Sequence, residues 1–141
     1  MLFSSDMSKL LIKNPTIINE GKRFRKNLLI DGEKIISISS NIKTDVNTEI
    51  INAEGLILIP GMIDDQVHFR EPGLTHKGNI FSESKAAVAG GVTSYIEMPN
   101  TNPNTTSVEE FNKKITIASN DSFSNFSFMF GGTNDNIDEI K

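Results

Sequence analysis

From residue 61 onward, short apolar runs alternate with helix-forming stretches, and this rhythm limits the possible folds more than any other feature. Met62-Ile-Asp-Asp-Gln-Val-His-Phe69 fits a strand. Ser82 to Ala89 is Ala-rich and helical in pattern, and Gly90-Gly91 ends it, because glycine supplies a left-handed C-terminal residue without steric cost. Val92-Thr-Ser-Tyr-Ile-Glu-Met98 is a second strand, broken by Pro99. Ser107-Val-Glu-Glu110 has the form of a capping box: the Ser oxygen accepts a backbone N–H, and Glu110 reaches back to the Ser107 N–H. A helix to about Ala118 follows. Asn125 to Phe130 reads as a third strand stopped by Gly131-Gly132, and Asn136 to Lys141 as the start of a third helix. Strands alternating with helices imply parallel βαβ units. Such units take about 30 residues each, so residues 61–141 hold roughly two to three of them. A closed (β/α)8 barrel needs ~200 residues or more, so a barrel chain of this length stops before halfway.

The first sixty residues read differently. Lys9-Leu-Leu-Ile-Lys13 and Thr16-Ile-Ile-Asn19 are short strands, with a break at Glu20-Gly-Lys22. Asn27-Leu-Leu-Ile-Asp31 and Ile35-Ile-Ser-Ile-Ser39 flank Asp31-Gly32, a hairpin signal because glycine tolerates the positive φ of tight turns. Glu49-Ile-Ile-Asn-Ala53 and Leu56-Ile-Leu-Ile59 complete a small antiparallel β unit ending at Pro60-Gly61. We divide the chain accordingly into a β segment, 1–60, and β/α units, 61–141. Residues 1–6 carry no pattern, and Met7 is a candidate start.

Composition excludes several function classes. The net charge of -4, from 14 Lys+Arg against 18 Asp+Glu, disfavours a nucleic-acid partner, which usually meets a basic face. No run approaches the ~20 apolar residues of a membrane span, and the N-terminus lacks a secretory pattern, so the expected location is the cytoplasm. There are no cysteines, which removes disulfides and thiolate metal sites, and just two histidines, His68 and His76.

In α/β barrels function gathers where the strands end at their carboxyl side. That rule selects Gln66-Val-His-Phe-Arg70 and Met98-Pro-Asn-Thr101. Gln66 and His68, two apart on a strand, share a face and can grip one metal ion. Imidazole is a good zinc ligand and a carboxamide a poor one; the alternative is a lone, hydrogen-bonded His68. Arg70 offers a fork suited to a carboxylate, or else forms a surface ion pair with Glu71. The Asn100 amide donates and accepts, and suits either a ligand or ordinary turn chemistry. Asp64 shares parity with Gln66 and His68 and could hold the site, while Asp65 should face the helices. His76 reads as a solvated loop residue.

Taken together, Pro60-Gly-Met-Ile-Asp-Asp-Gln-Val-His-Phe-Arg-Glu-Pro-Gly73, Ala86-Ala-Val-Ala-Gly-Gly-Val-Thr93 and Met98-Pro-Asn-Thr-Asn-Pro103 resemble the dihydroorotase form of the amidohydrolase signature, whose strand reads Asp-x-His-x-His before x-Arg-Glu-Pro-Gly. The likeness is to the N-terminal part of the longer bacterial, multifunctional-complex type. It implies an amidohydrolase-type (β/α)8 TIM barrel, represented here by its first two to three β/α units behind a small β-sandwich segment. It also implies reversible cyclisation of N-carbamoyl-L-aspartate to L-dihydroorotate in pyrimidine synthesis, with one or two zinc ions. Carried over, His68 is a zinc ligand, position 66 is that of the other histidine, and His68, Arg70 and Asn100 meet the substrate.

Two departures follow. Gln66 stands where the signature has His, which implies a single metal held mainly by other ligands, reduced metal affinity, or lost activity. The bridging carboxylate, two further histidines and the catalytic Asp of the family fall beyond residue 141, so the 141 residues alone are expected to lack turnover and to expose unpaired strand edges. Other readings are an allantoinase, hydantoinase or dihydropyrimidinase, a non-catalytic subunit associated with aspartate carbamoyltransferase, or a free-standing binding module. The resemblance is compatible with a homodimer.

Overall fold

A computed structural model describes residues 9–140. The candidate start at Met7 and the helical placement of Lys141 fall outside the described residues. The chain separates into two compact units, Met1–Pro60 and Gly61–Lys141.

The first unit holds β1 (Leu10–Lys13), β2 (Thr16–Asn19), β3 (Lys22–Arg25), β4 (Asn27–Asp31), β5 (Lys34–Ser39), β6 (Glu49–Asn52) and β7 (Ile57–Leu58). They form two sheets, ordered β5-β4-β1-β6 and β3-β2-β7. Gly32, at φ 60, turns β4 into β5 as its sequence suggests. The expected purely antiparallel unit is corrected: β1 pairs β6, and β2 pairs β7, in parallel. The intervening hairpins return the chain to its starting end, and that return is what parallel pairing requires. Strand β3 goes unread in the sequence because Lys22-Arg-Phe-Arg25 has no apolar run. It forms because Glu20 and Gly21, at φ 48 and 70, make a two-residue turn that pairs it with β2. Leu11, Ile17, Leu28, Leu29 and Ala53 are buried.

The second unit runs β8 (Met62–Val67), α1 (Ile80–Ala89), β9 (Val92–Glu97), α2 (Val108–Asp121), β10 (Asn125–Phe128) and α3 (Ile137–Ile140). The three strands form one sheet in the order β8-β9-β10, parallel throughout. Helix α1 starts two residues before the sequence reading because Asn79 caps it. The Asn79 side chain accepts from the Ser82 N–H at 2.8 Å, and the Ser82 Oγ accepts from the Asn79 N–H at 3.4 Å. Its end is made by Gly91 at φ 90, while Gly90 stays right-handed. At α2, Ser107 caps the Glu110 N–H at 3.2 Å, but the reciprocal half of the expected box is absent: the Glu110 carboxylate takes Lys113 instead, at 2.8 Å.

The core lies between sheet and helices. Phe69, Ile80, Tyr95, Ala118 and Phe128 are buried, with Val67, Phe111, Ile115 and Phe126 packed around them. Phe69 and Tyr95 stack with centroids 4.5 Å apart. Each large apolar side chain buried here contributes about 1.5–3 kcal/mol. Among the described residues no helix is long and apolar enough to cross a membrane.

Candidate active site

Strands β8 and β9 lie side by side, so their carboxyl ends bring the two selected motifs together. The His68 Nδ1 lies 3.0 Å from the Asn100 Oδ1. A carboxamide oxygen can only accept, so Nδ1 is the donor in this contact and Nε2 is not used by it. The same bond leaves the Asn100 NH2 as a donor. Both residues are exposed. Arg70, half-buried, follows His68 by two residues in a left-handed turn at φ 73.

The surface-pair alternative for Arg70 is not what forms. Among the described residues Arg70 makes no ion pair, and the Glu71 carboxylate instead accepts the Ile80 N–H at 2.9 Å, where it meets the positive end of the α1 dipole. The main chain of Arg70 is held from β9, its N–H donating to the Glu97 Oε1 at 3.0 Å.

Gln66 and Asp64 depart from simple strand parity. The β8–β9 register shifts between Asp64 and Val67, and the Asp64 carboxylate accepts the Gln66 N–H at 3.1 Å. A bulge breaks the alternation on which face assignments rest. Asp65, expected against the helices, is exposed, and so are Gln66 and His76.

Loops 70–74 and 99–103 are knitted together. The Asn102 N–H donates to the Pro72 carbonyl at 3.1 Å, and Gly73 sits at φ 80 directly against Asn102. A Cβ at residue 73 would lie 1.8 Å from the Asn102 carbonyl oxygen, a backbone atom that cannot swing away. Gly73→Ala is therefore expected to cost at least about 1–3 kcal/mol through its backbone conformation alone. Urea denaturation would read this, and an unchanged midpoint would show that the two loops part freely.

Sequence reasoning missed Glu97 and Lys114. Their side chains are 1% exposed and pair at 2.9 Å between the Lys114 Nζ and the Glu97 Oε2. Lys114 also donates to the Met98 carbonyl at 3.1 Å and lies 4.9 Å from the Phe128 ring centroid. Burial pushes the Glu97 carboxyl up from its usual range and the Lys114 ammonium down, each countered by the other's charge.

As a metal centre these residues are incomplete. Among the described residues no three His, Asp or Glu side chains cluster to hold an ion. One imidazole nitrogen and one weak carboxamide do not by themselves fit zinc, which takes three or four strong donors.

Residues 55–122 match the family model described as dihydro-orotase-like. A dihydroorotase of Streptococcus thermophilus is 40% identical over 111 residues, covering 77% of this chain and 26% of that protein. One of Carboxydothermus hydrogenoformans is 50% identical over 97 residues, 67% of this chain and 22% of that protein. The chain thus spans about a quarter of the length of these curated relatives. Among solved structures, an L-hydantoinase (dihydropyrimidinase) from Arthrobacter aurescens aligns with a TM-score of 0.88 at 29% identity, over 95% of this chain and 30% of that one. A D-hydantoinase (dihydropyrimidinase) from Thermus sp. aligns with a TM-score of 0.79 at 30% identity, over 93% and 30%. Residues 55–122 are therefore dihydro-orotase-like in sequence, and the chain is similar to about a quarter of the length of dihydroorotases.

Proposed function

We propose that this chain supplies the substrate-carboxylate side of a dihydroorotase, a cytoplasmic enzyme interconverting N-carbamoyl-L-aspartate and L-dihydroorotate. Residues 61–140 are then the first three β/α units of its barrel. The observation that carries the reading is the 3.0 Å contact between His68 and Asn100, which closes the ends of two neighbouring strands beside Arg70.

Each group then has a chemical task. The Arg70 guanidinium presents parallel N–H donors to the substrate carboxylate, and the Asn100 NH2 adds a third. His68, oriented by the Asn100 contact at Nδ1, keeps Nε2 as the nitrogen that would hold a metal beside the reacting amide. Holding the acid end in one orientation sets the carbamoyl nitrogen and the distal carboxyl at ring-closing distance, which is a positioning contribution to rate. Cyclisation forms the C–N bond and releases water; no group of this chain is assigned the proton transfers. The zinc implied by the resemblance would find in this chain one strong donor, His68.

The structural likeness to hydantoinases favours a second reading, a cyclic amidohydrolase acting on a ring without a carboxylate. Assay of the full-length protein carrying this sequence on dihydroorotate, hydantoin and dihydrouracil separates the two. Turnover of dihydroorotate with little of the others is expected, and the reverse preference would replace the first reading with the second. Gln66→His restores a nitrogen donor, and tighter zinc binding is expected in competition with a chelating dye. Equal zinc affinity in both proteins would place residue 66 away from the metal.

A further inference from the structure

Two charges sit in the core of the second unit where an apolar pattern would be expected. Glu97 follows Tyr95 by two on the helix-facing side of β9, and Lys114 lies among Phe111, Ile115 and Ala118 on α2. Replacing a buried ion pair with apolar side chains of similar volume is often neutral or stabilising, so fold stability alone does not account for this one.

The contacts of the pair give another account. Glu97 Oε2 takes the ammonium, while Oε1 accepts the N–H of Arg70 at 3.0 Å. Lys114 spends its remaining capacity on the Met98 carbonyl and the Phe128 ring. The carboxylate is thus clamped on one side and grips a strained main-chain turn on the other. Arg70 is one of three non-glycine residues described at positive φ, and the other two, Asn14 and Glu20, lie in the first unit. A left-handed arginine turn relaxes unless its surroundings hold it. A hydrogen bond from its N–H to an ionised, immobile carboxylate is a strong way to do so.

We infer that Glu97, held by Lys114, is a positioning residue that fixes the Arg70 turn, so that the guanidinium meets the substrate carboxylate together with Asn100. The inference rests on the dihydroorotase reading above.

The test uses the full-length enzyme carrying this sequence, with N-carbamoyl-L-aspartate as substrate. Four proteins are compared: wild type, Arg70→Ala, Glu97→Leu/Lys114→Met and Glu97→Gln/Lys114→Met. Both double variants remove the buried charges, but glutamine keeps an oxygen for the Arg70 N–H. The leucine variant is expected to raise KM ~10-fold or more with kcat within about threefold, since small misplacements of a binding group are costly. The glutamine variant is expected to return KM to within about threefold of wild type. A merely structural pair would leave KM alone in any variant that folds. A wild-type KM in the leucine variant, or a glutamine variant no better than it, overturns the inference.

Should the leucine variant not fold, Glu97→Asp, which keeps the counter-charge of Lys114, against Glu97→Gln/Lys114→Met decides. The aspartate, one methylene short, loses the Arg70 N–H and raises KM, whereas glutamine keeps it; equal KM values overturn the inference. Failure of the underlying reading looks different: wild type does not turn over the substrate, or Arg70→Ala leaves KM unchanged.

Discussion

Lys114→Met is expected to destabilise the protein by about 3–5 kcal/mol, the cost of stripping a buried charge of its partner. Methionine fills nearly the same volume among Phe111, Ile115 and Phe128, so the loss is electrostatic and not a cavity effect. What remains is the Glu97 carboxylate, fully buried, with the Arg70 and Phe69 N–H groups as donors and no counter-charge. Burial already raises its pKa in the presence of Lys114, and without the ammonium the rise is larger. The sign of the pH dependence follows. A carboxyl raised in the folded state binds its proton more readily there than in the unfolded chain, so its destabilising effect grows as pH rises above the ordinary glutamate range. The stability gap between wild type and Lys114→Met should therefore be widest near neutrality and narrow toward about pH 5. Urea midpoints at the two pH values measure it. The double variant Glu97→Leu/Lys114→Met should recover most of the loss, because neither charge is then buried alone. A single variant as stable as wild type at pH 7 would mean that the pair is not held as a desolvated ion pair.

This pair also marks the limit of what the sequence discloses. The alternation of β8, α1, β9, α2 and β10 was legible because each element carries its own periodic apolar run with glycine, proline or a capping residue at its ends. His68, Arg70 and Asn100 were legible because they sit where parallel strands end, and sequence spacing alone places them there. The bulge at Asp65-Gln66 was not, since register depends on the pairing partner and a strict period of two contains no hint of a shift. Strand β3 was hidden for a related reason: its stability comes from the Glu20-Gly21 turn and the β2 ladder, not from its own residues. Glu97 and Lys114 did leave a signal. Each is a charge on the apolar face of its element, Glu97 in step with Tyr95 and Lys114 in step with Phe111 and Ala118. Two such misfits of opposite sign within one β/α unit, β9 and α2, point to a buried partnership, although sequence separation cannot say that Arg70 completes it.

Arg70→Gly is expected to separate binding from stability by moving them in opposite directions. At φ 73 an L side chain crowds its own backbone, at a cost of roughly 1–2 kcal/mol that glycine does not incur. Glycine gives back about 0.4–1 kcal/mol through greater freedom of the unfolded chain. The net expectation is a protein as stable as wild type or up to about 1.6 kcal/mol more stable. Arg70→Ala, which keeps its Cβ at the same φ, should show no such gain. Both substitutions remove the guanidinium, and loss of one partner from a desolvated charge pair costs about 2–5 kcal/mol of binding. For N-carbamoyl-L-aspartate this is a KM higher by roughly 30-fold to several thousand-fold. A ring substrate without a carboxylate should lose far less, because it never used the fork. The strain at Arg70 is then the cost of aiming a cation from a strand end, and it persists because Glu97 grips the turn that bears it. If Arg70→Gly and Arg70→Ala are equally stable, the turn carries no strain. If neither changes KM for the acid substrate, Arg70 is not its anchor.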